Sequence, residues 1–321
     1  MNPKIKKLLL YTIPVGFGIF LVWNFLNKLT PTDQEEILNS FKSANYWWVL
    51  LSLFFGALSH LSRAIRWKYI MEPLGYQPRF PNLILTVLIA YLVNLIFPRA
   101  GEVARASALS KYEDIPFEKG FGTIVSERIA DVIMLLLIAG IGFSLQGDLI
   151  KSYIIKDGES SYTKYILLTA VLLLGVGGLL LIKKSKIPFF VKMRTFFVGL
   201  YEGLVSILKM KKRWEFIFHT FFIWTMYILM FYVVTFSIPE TSHLSLEAVI
   251  VGFIVGGLSM AVTNGGLGVY PVAIAGAFAL YGIDEIYSSA FGWIMWSAQT
   301  LMILLFGGLS FLIIPFYNKA K

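Results

Sequence analysis

Six stretches of this chain are apolar for long enough to cross a lipid bilayer: residues 8–26, 46–62, 129–146, 165–182, 216–238 and 289–316. A spanning helix needs about 20 mostly apolar residues, because some 30 Å of hydrocarbon is crossed at about 1.5 Å per residue. The composition agrees. Of 321 residues 57% are hydrophobic and 15% charged, against about a quarter charged in an ordinary soluble domain. The apolar and aromatic excess excludes a disordered chain. Cysteine is absent, which excludes disulfides, thiolate metal sites and a cysteine nucleophile. The first run follows Lys4, Lys6 and Lys7 but is long and lacks a small-residue cleavage site, so it reads as an uncleaved first helix.

Two further apolar stretches are broken. Residues 83–97 contain Asn94 and run into Pro98-Arg99-Ala100-Gly101-Glu102, while residues 246–282 are interrupted by Thr263-Asn264-Gly265-Gly266-Leu267-Gly268. Charge decides how they meet the membrane. The segment from Lys183 to Glu215 holds nine Lys or Arg against two acids and should be cytoplasmic, as should Lys4 to Lys7 and the link with Lys68 and Arg79. A full crossing by 83–97 would put the most basic loop outside. Hairpins that enter and leave on one side, at about 83–112 and 246–282, remove the conflict and leave Lys319 and Lys321 inside. On that topology the cytoplasmic segments carry +12, the outer segments −5 and the membrane-depth residues +2.

The expected fold is an all-α polytopic membrane protein. It is a single integral membrane domain over residues 1–321, with about six transmembrane helices plus two re-entrant helical hairpins forming an inverted repeat. The repeat follows from topology, since the two halves show no convincing sequence likeness. Residues 187–210 alternate apolar and basic side chains and predict an amphipathic helix on the cytoplasmic surface.

Eight ionisable residues fall at or near membrane depth: Arg63, Arg66, Arg99, Glu102, Arg105, Glu127, Arg128 and Asp131. A charge in hydrocarbon costs about 2.5–3.5 kcal/mol on insertion scales, so such residues face a cavity or a partner. Arg63 and Arg66, Glu102 and Arg105, and Glu127 and Asp131 are each spaced to share a helix face. Five arginines against three carboxylates leave a surplus of two positive charges. An anion suits that surplus, and guanidinium forks suit phosphate. Asn94 adds an amide, and Asn264, Gly265 and Gly266 add backbone groups at the second break. The same spacing fits internal salt bridges that lock a hairpin to its neighbours, and Arg63 and Arg66 also fit snorkelling at a helix end. Both uses stay open on sequence alone.

The run Ser62-Arg63-Ala64-Ile65-Arg66-Trp67 comes first. Asn94 follows with Pro98-Arg99-Ala100-Gly101-Glu102-Val103-Ala104-Arg105, then Glu127-Arg128-Ile129-Ala130-Asp131 and finally Gly265-Gly266-Leu267-Gly268. Taken in this order, these blocks resemble the lysylphosphatidylglycerol synthase transmembrane family, also called the flippase-like domain family. The resemblance covers nearly the whole chain and implies a membrane domain that moves lipids or polyprenyl-linked precursors between leaflets. That family's glycine block is usually preceded by proline and followed by an acidic residue. Here Asn264 precedes it and Tyr270-Pro271 follow, so no carboxylate role is expected at this hairpin. With Lys321 last and no soluble aminoacyl-transfer domain after the final helix, synthesis of lysylphosphatidylglycerol is not expected.

His60, His219 and His243 lie far apart without a metal-binding motif, and no Walker or dinucleotide glycine motif occurs, so neither metal nor cofactor is expected. His60 reads as a packed or interfacial side chain. The basic charge follows topology and is no nucleic-acid footprint. The leading expectation is a lipid transporter of flippase type in a bacterial cytoplasmic membrane, with both termini cytoplasmic. Its partner is an anionic phospholipid or a polyprenyl-phosphate-linked lipid. The alternative is a membrane enzyme acting on a lipid-linked substrate, a glycosyltransferase or phosphotransferase, with Glu102, Glu127 or Asp131 as general base. A membrane scaffold is the third reading.

Overall fold

The computed structural model describes residues 30–97, 99–146, 207–263 and 265–319, together with Trp23, Asn27, Val191 and Val198. Among them every regular element is helical: α1 Pro31–Ser43, α2 Tyr46–Met71, α3 Phe80–Ile96, α4 Gly101–Glu113, α5 Phe117–Leu145, α6 Arg213–Val234, α7 Leu246–Val262, α8 Val269–Ala279 and α9 Glu285–Tyr317, with short 3-10 turns between some of them. Four segments are long and apolar enough to cross a membrane: Tyr46–Leu74, Phe117–Leu145, Arg213–Ser237 and Glu285–Tyr317. They match four of the six expected spans. The protein is a polytopic helical membrane protein. The expected spans at 8–26 and 165–182, and nearly all of the amphipathic stretch at 187–210, lie outside the described residues.

The chain divides into two compact units, residues 1–127 with 214–321 and residues 128–213. Of the second, the C-terminal part of α5 and the residues leading into α6 are described. The first contains both broken stretches. In each, a helix ends, the chain turns, and a second helix packs back along the first: α3 with α4, and α7 with α8.

Each hairpin opens on a different face. Arg79 at the start of α3, Glu113 at the end of α4 and Asn318 just past α9 share one hydrogen-bonded cluster with Asn82, so the open end of the first hairpin lies with the end of α9. Asn45, which caps α2, donates its backbone N–H to Ser237 after α6 (2.9 Å). Ala44, Ile238, Val249, Ile283 and Ala290 share one buried cluster there with the start of α9. Helix α9 runs unbroken for 33 residues, about 50 Å, from one face to the other. Charges follow: Glu240, Glu247, Asp284 and Glu285 sit at its start, and Lys68, Arg79, Lys111 and Lys319 gather towards the other face.

Two apolar cores flank the middle. Phe231, Phe278 and Phe291 pack edge-on or tilted, with centroids 5.2–6.2 Å apart, and centre the core around the second hairpin. Trp67, Leu83, Val87, Ala106 and Leu109 centre the other, around the first.

Between the cores the two breaks meet. A Cβ on Gly265 would lie 2.9 Å from Leu95 Cδ1, the indole of Trp296 donates to the Gly265 carbonyl (2.7 Å), and Gly307 lies against Leu88 and Leu92. From Asn82 to Leu95 is about 20 Å of helix and from Ser245 to Val262 about 25 Å. Together they approach the full bilayer thickness of about 40–45 Å including headgroups, which puts the meeting point near mid-depth.

Candidate functional site

Three of the expected residues converge. Arg66 on α2, Arg105 on α4 and Glu127 on α5 form an ion triad with the carboxylate at its centre. Arg105 Nη1 is 2.6 Å from Glu127 Oε2 and Arg66 Nε is 3.5 Å from Oε1, with side-chain exposures of 3%, 0% and 0% for Arg105, Arg66 and Glu127. Helix geometry explains the convergence. Arg66 is five residues before the end of α2, Arg105 eight before the end of α4 and Glu127 ten after the start of α5, about 8, 12 and 15 Å along their helices, a difference that the long arginine side chains span.

Neighbouring aromatics hold the triad. The Arg105 guanidinium stacks 3.5 Å above the Trp67 ring, whose indole N–H donates to Thr123 Oγ1 (2.8 Å). Arg66 donates to Thr220 Oγ1 (3.2 Å) and lies 5.4 Å from the centre of the Phe216 ring. One turn earlier on α2, Arg63 donates to the Tyr227 hydroxyl (3.3 Å), which pairs with the Tyr91 hydroxyl (3.0 Å), and His60 packs on the Tyr91 ring. The result is a polar ladder along α2 that runs from the triad towards mid-depth.

Asn94, Glu102 and Gly101 form a second group at the tip of the first hairpin. Asn94 Oδ1 accepts the Gly101 N–H (2.7 Å) at the start of α4, and its amide donates to Glu102 (3.4 Å). This bond satisfies one of the four N–H groups that a helix start leaves open, so Asn94 caps the second arm from within the first. The close approach requires Gly101, since a Cβ there would lie 2.1 Å from the Ala90 carbonyl oxygen.

Arg99 stands apart from both groups. It is exposed, in the left-handed region at φ 62°, at the turn between the two arms. Gly265 and Gly266 form the opposing turn, both at positive φ (66° and 78°), while Asn264 lies outside the described residues. Arg128 and Asp131 fall in the second unit, where they face each other at 3.7 Å with Arg128 about half exposed.

Sequence reasoning misses the supports. Trp67 adjoins Arg66, and Thr220 and Tyr227 share a face of α6 seven residues apart, but an aromatic or hydroxyl in an apolar helix gives no signal until its partner is known. His60 packs on Tyr91, in keeping with its reading as a packed side chain.

Known proteins resemble this chain over parts of their length. A UPF0104 membrane protein of Methanocaldococcus jannaschii is 30% identical over 150 residues, covering 46% of this chain and 42% of that protein. A UPF0104 membrane protein of Methanothermobacter thermautotrophicus is 24% identical over 175 residues, 54% and 46% of the two chains. The glycosyltransferase AglD of Haloferax volcanii is 29% identical over 110 residues, 34% of this chain and 18% of AglD. These matches thus span less than half of each relative's length. No solved structure matches. The model of one family, the lysylphosphatidylglycerol synthase TM region, matches residues 10–307, and the chain belongs to that family.

Proposed function

We propose that this protein moves an anionic lipid, a phospholipid or a polyprenyl-phosphate-linked lipid, between leaflets. The observation that carries this reading is the meeting of two helix breaks near mid-depth, Leu95 against Gly265, in a protein whose sequence sets five arginines against three carboxylates at or near membrane depth. Broken backbone is tolerated in a membrane only inside protein or beside a watery cavity, and paired broken helices opening on opposite faces are the arrangement in which many transporters bind substrate. The headgroup would enter between the hairpins while the tails stay in lipid, and exposure of the site would alternate between faces. The basic face, with Arg79 and Lys319, is assigned to the cytoplasm by the positive-inside rule. On this reading the protein works in a bacterial cytoplasmic membrane with both termini inside, although the relatives named above are archaeal.

Reconstitution tests the proposal. Vesicles carrying the protein should move labelled anionic lipids between leaflets faster than empty vesicles, and equal rates across several headgroups would refute it. The name of the AglD relative favours a second reading, an enzyme acting on a lipid-linked substrate. Glu102, half-buried and beside Asn94, would then be the most accessible of the candidate bases. Such an enzyme would turn over substrate in detergent, where leaflet transport has no meaning.

A further inference from the structure

We infer that Arg99, alone among the five membrane-depth arginines, is the residue that meets the lipid phosphate, and that it does so from a water-filled recess at the tip of the first hairpin. The inference deepens the proposed function and rests on that reading for its lipid.

Depth is the first argument. Arg99 lies four residues beyond Leu95, whose side chain abuts Gly265 where the two turns meet. Half of a roughly 30 Å hydrocarbon layer is farther than a stem of three methylenes can snorkel. A permanently charged guanidinium at that depth must therefore face protein acceptors, water or an anion. Arg99 is exposed and, among the described residues, makes no hydrogen bond or ion pair, so none of these residues supplies an acceptor and water or an anion takes that place in the inference.

The neighbours are already committed. Arg66 and Arg105 share Glu127 in a dry triad, Arg63 donates to Tyr227, and Arg128 faces Asp131. The triad and the Arg63 bond join different helices, while the Arg128–Asp131 pair lies along one helix. The backbone adds a third argument, because a left-handed conformation at a non-glycine residue costs of order 1 kcal/mol or more and persists where its surroundings enforce it. Here the Asn94 bond and the close approach of Gly101 to Ala90 anchor the start of α4, two residues beyond Arg99.

The absence of cysteine from the chain makes the test direct. Arg99→Cys and Leu305→Cys would be placed in sealed vesicles of phosphatidylcholine and exposed to a membrane-impermeant cationic thiol reagent. Leu305 is comparably exposed on α9 but apolar in setting. Arg99→Cys should react much faster, and reaction no faster than at Leu305 would overturn the recess. Phosphatidylglycerol retained by the wild-type protein should resist washing with inorganic phosphate, and its release by phosphate at concentrations that leave Arg99→Gly unchanged would overturn the lipid as ligand.

Arg99→Gly guards against misfolding, because glycine accepts φ 62° without strain. It should keep the wild-type melting temperature and retain about tenfold less phosphatidylglycerol through mild detergent purification, the effect of losing a charged hydrogen bond. Undiminished retention would overturn the inference. Neither readout requires transport, so positive results here with no leaflet movement would refute the proposed function and leave the role of Arg99 in lipid binding intact.

Discussion

Arg105 and Glu127 are joined by a 2.6 Å charged hydrogen bond from which water is excluded, and Arg66 reaches the other oxygen of the same carboxylate. A buried ion group is poor evidence of net stability, because desolvation offsets its attraction, but removing one member is costly. Glu127→Ala should therefore destabilise the protein by about 3–5 kcal/mol. Glu127→Gln, which keeps shape and loses charge, should fall between it and wild type. Unfolding midpoints in detergent would show this, and wild-type midpoints for both variants would mean that the triad does not tie α2, α4 and α5 together.

Trp67 serves the same triad through its ring face and its indole N–H. Trp67→Phe should keep part of the cation–π contact and lose the bond to Thr123, at a cost of about 1–2 kcal/mol. Trp67→Leu, which loses both, should cost more. The order of the two variants in thermal denaturation is the measurement.

Gly307 and Gly308 are adjacent and should respond in opposite ways. A Cβ at Gly307 would lie 2.6 Å from Leu92 Cβ and 2.9 Å from the Leu88 carbonyl oxygen, whereas one at Gly308 meets nothing within 4 Å. Gly307→Ala should cost about 1–3 kcal/mol by forcing α9 away from α3. Gly308→Ala should be neutral or gain up to about 1 kcal/mol, because glycine is a poor helix former. Parallel melting curves decide the matter.

Asn318 bridges Asn82 and Arg79 across the open end of the first hairpin. Asn318→Ala should loosen the end of α9 by about 1 kcal/mol, since the cluster is partly exposed and Arg79 is screened by solvent. Hydrogen exchange should rise in the last turn of α9 and at the end of α4. An increase confined to α9 would show that the cluster does not couple the two.

Sidedness can be read with single cysteines. His243 and Lys319 are both exposed, at opposite ends of the first unit. In sealed, oriented vesicles His243→Cys and Lys319→Cys should react from opposite sides with an impermeant reagent. Reaction from the same side would contradict the hairpin topology.

Much of the architecture was legible in the sequence because the bilayer imposes simple rules. Four apolar runs became the long helices, and the chain turns at Arg99 and at Gly265–Gly268, within the two interruptions, since lipid leaves an apolar segment little choice but to satisfy its backbone as a helix. Charge placed the open ends of the hairpins on opposite faces, and the Arg79 and Asn45 contacts lie on those faces.

The division of labour among the arginines was not legible. Spacing set Glu102 with Arg105 and Glu127 with Asp131, but in the fold Arg105 turns to Glu127 and Glu102 to Asn94. Local spacing reports which residues share a helix face and not which helix that face meets. The sequence alone determined that this is a helical membrane protein whose apolar stretches are broken at two places and whose predicted membrane-depth residues hold more arginines than carboxylates. Only the tertiary structure decided that Arg66 and Arg105 are held by one carboxylate while Arg99 is left exposed at the tip, because pairing depends on which helices pack at the same depth, and that is fixed by contacts between distant parts of the chain.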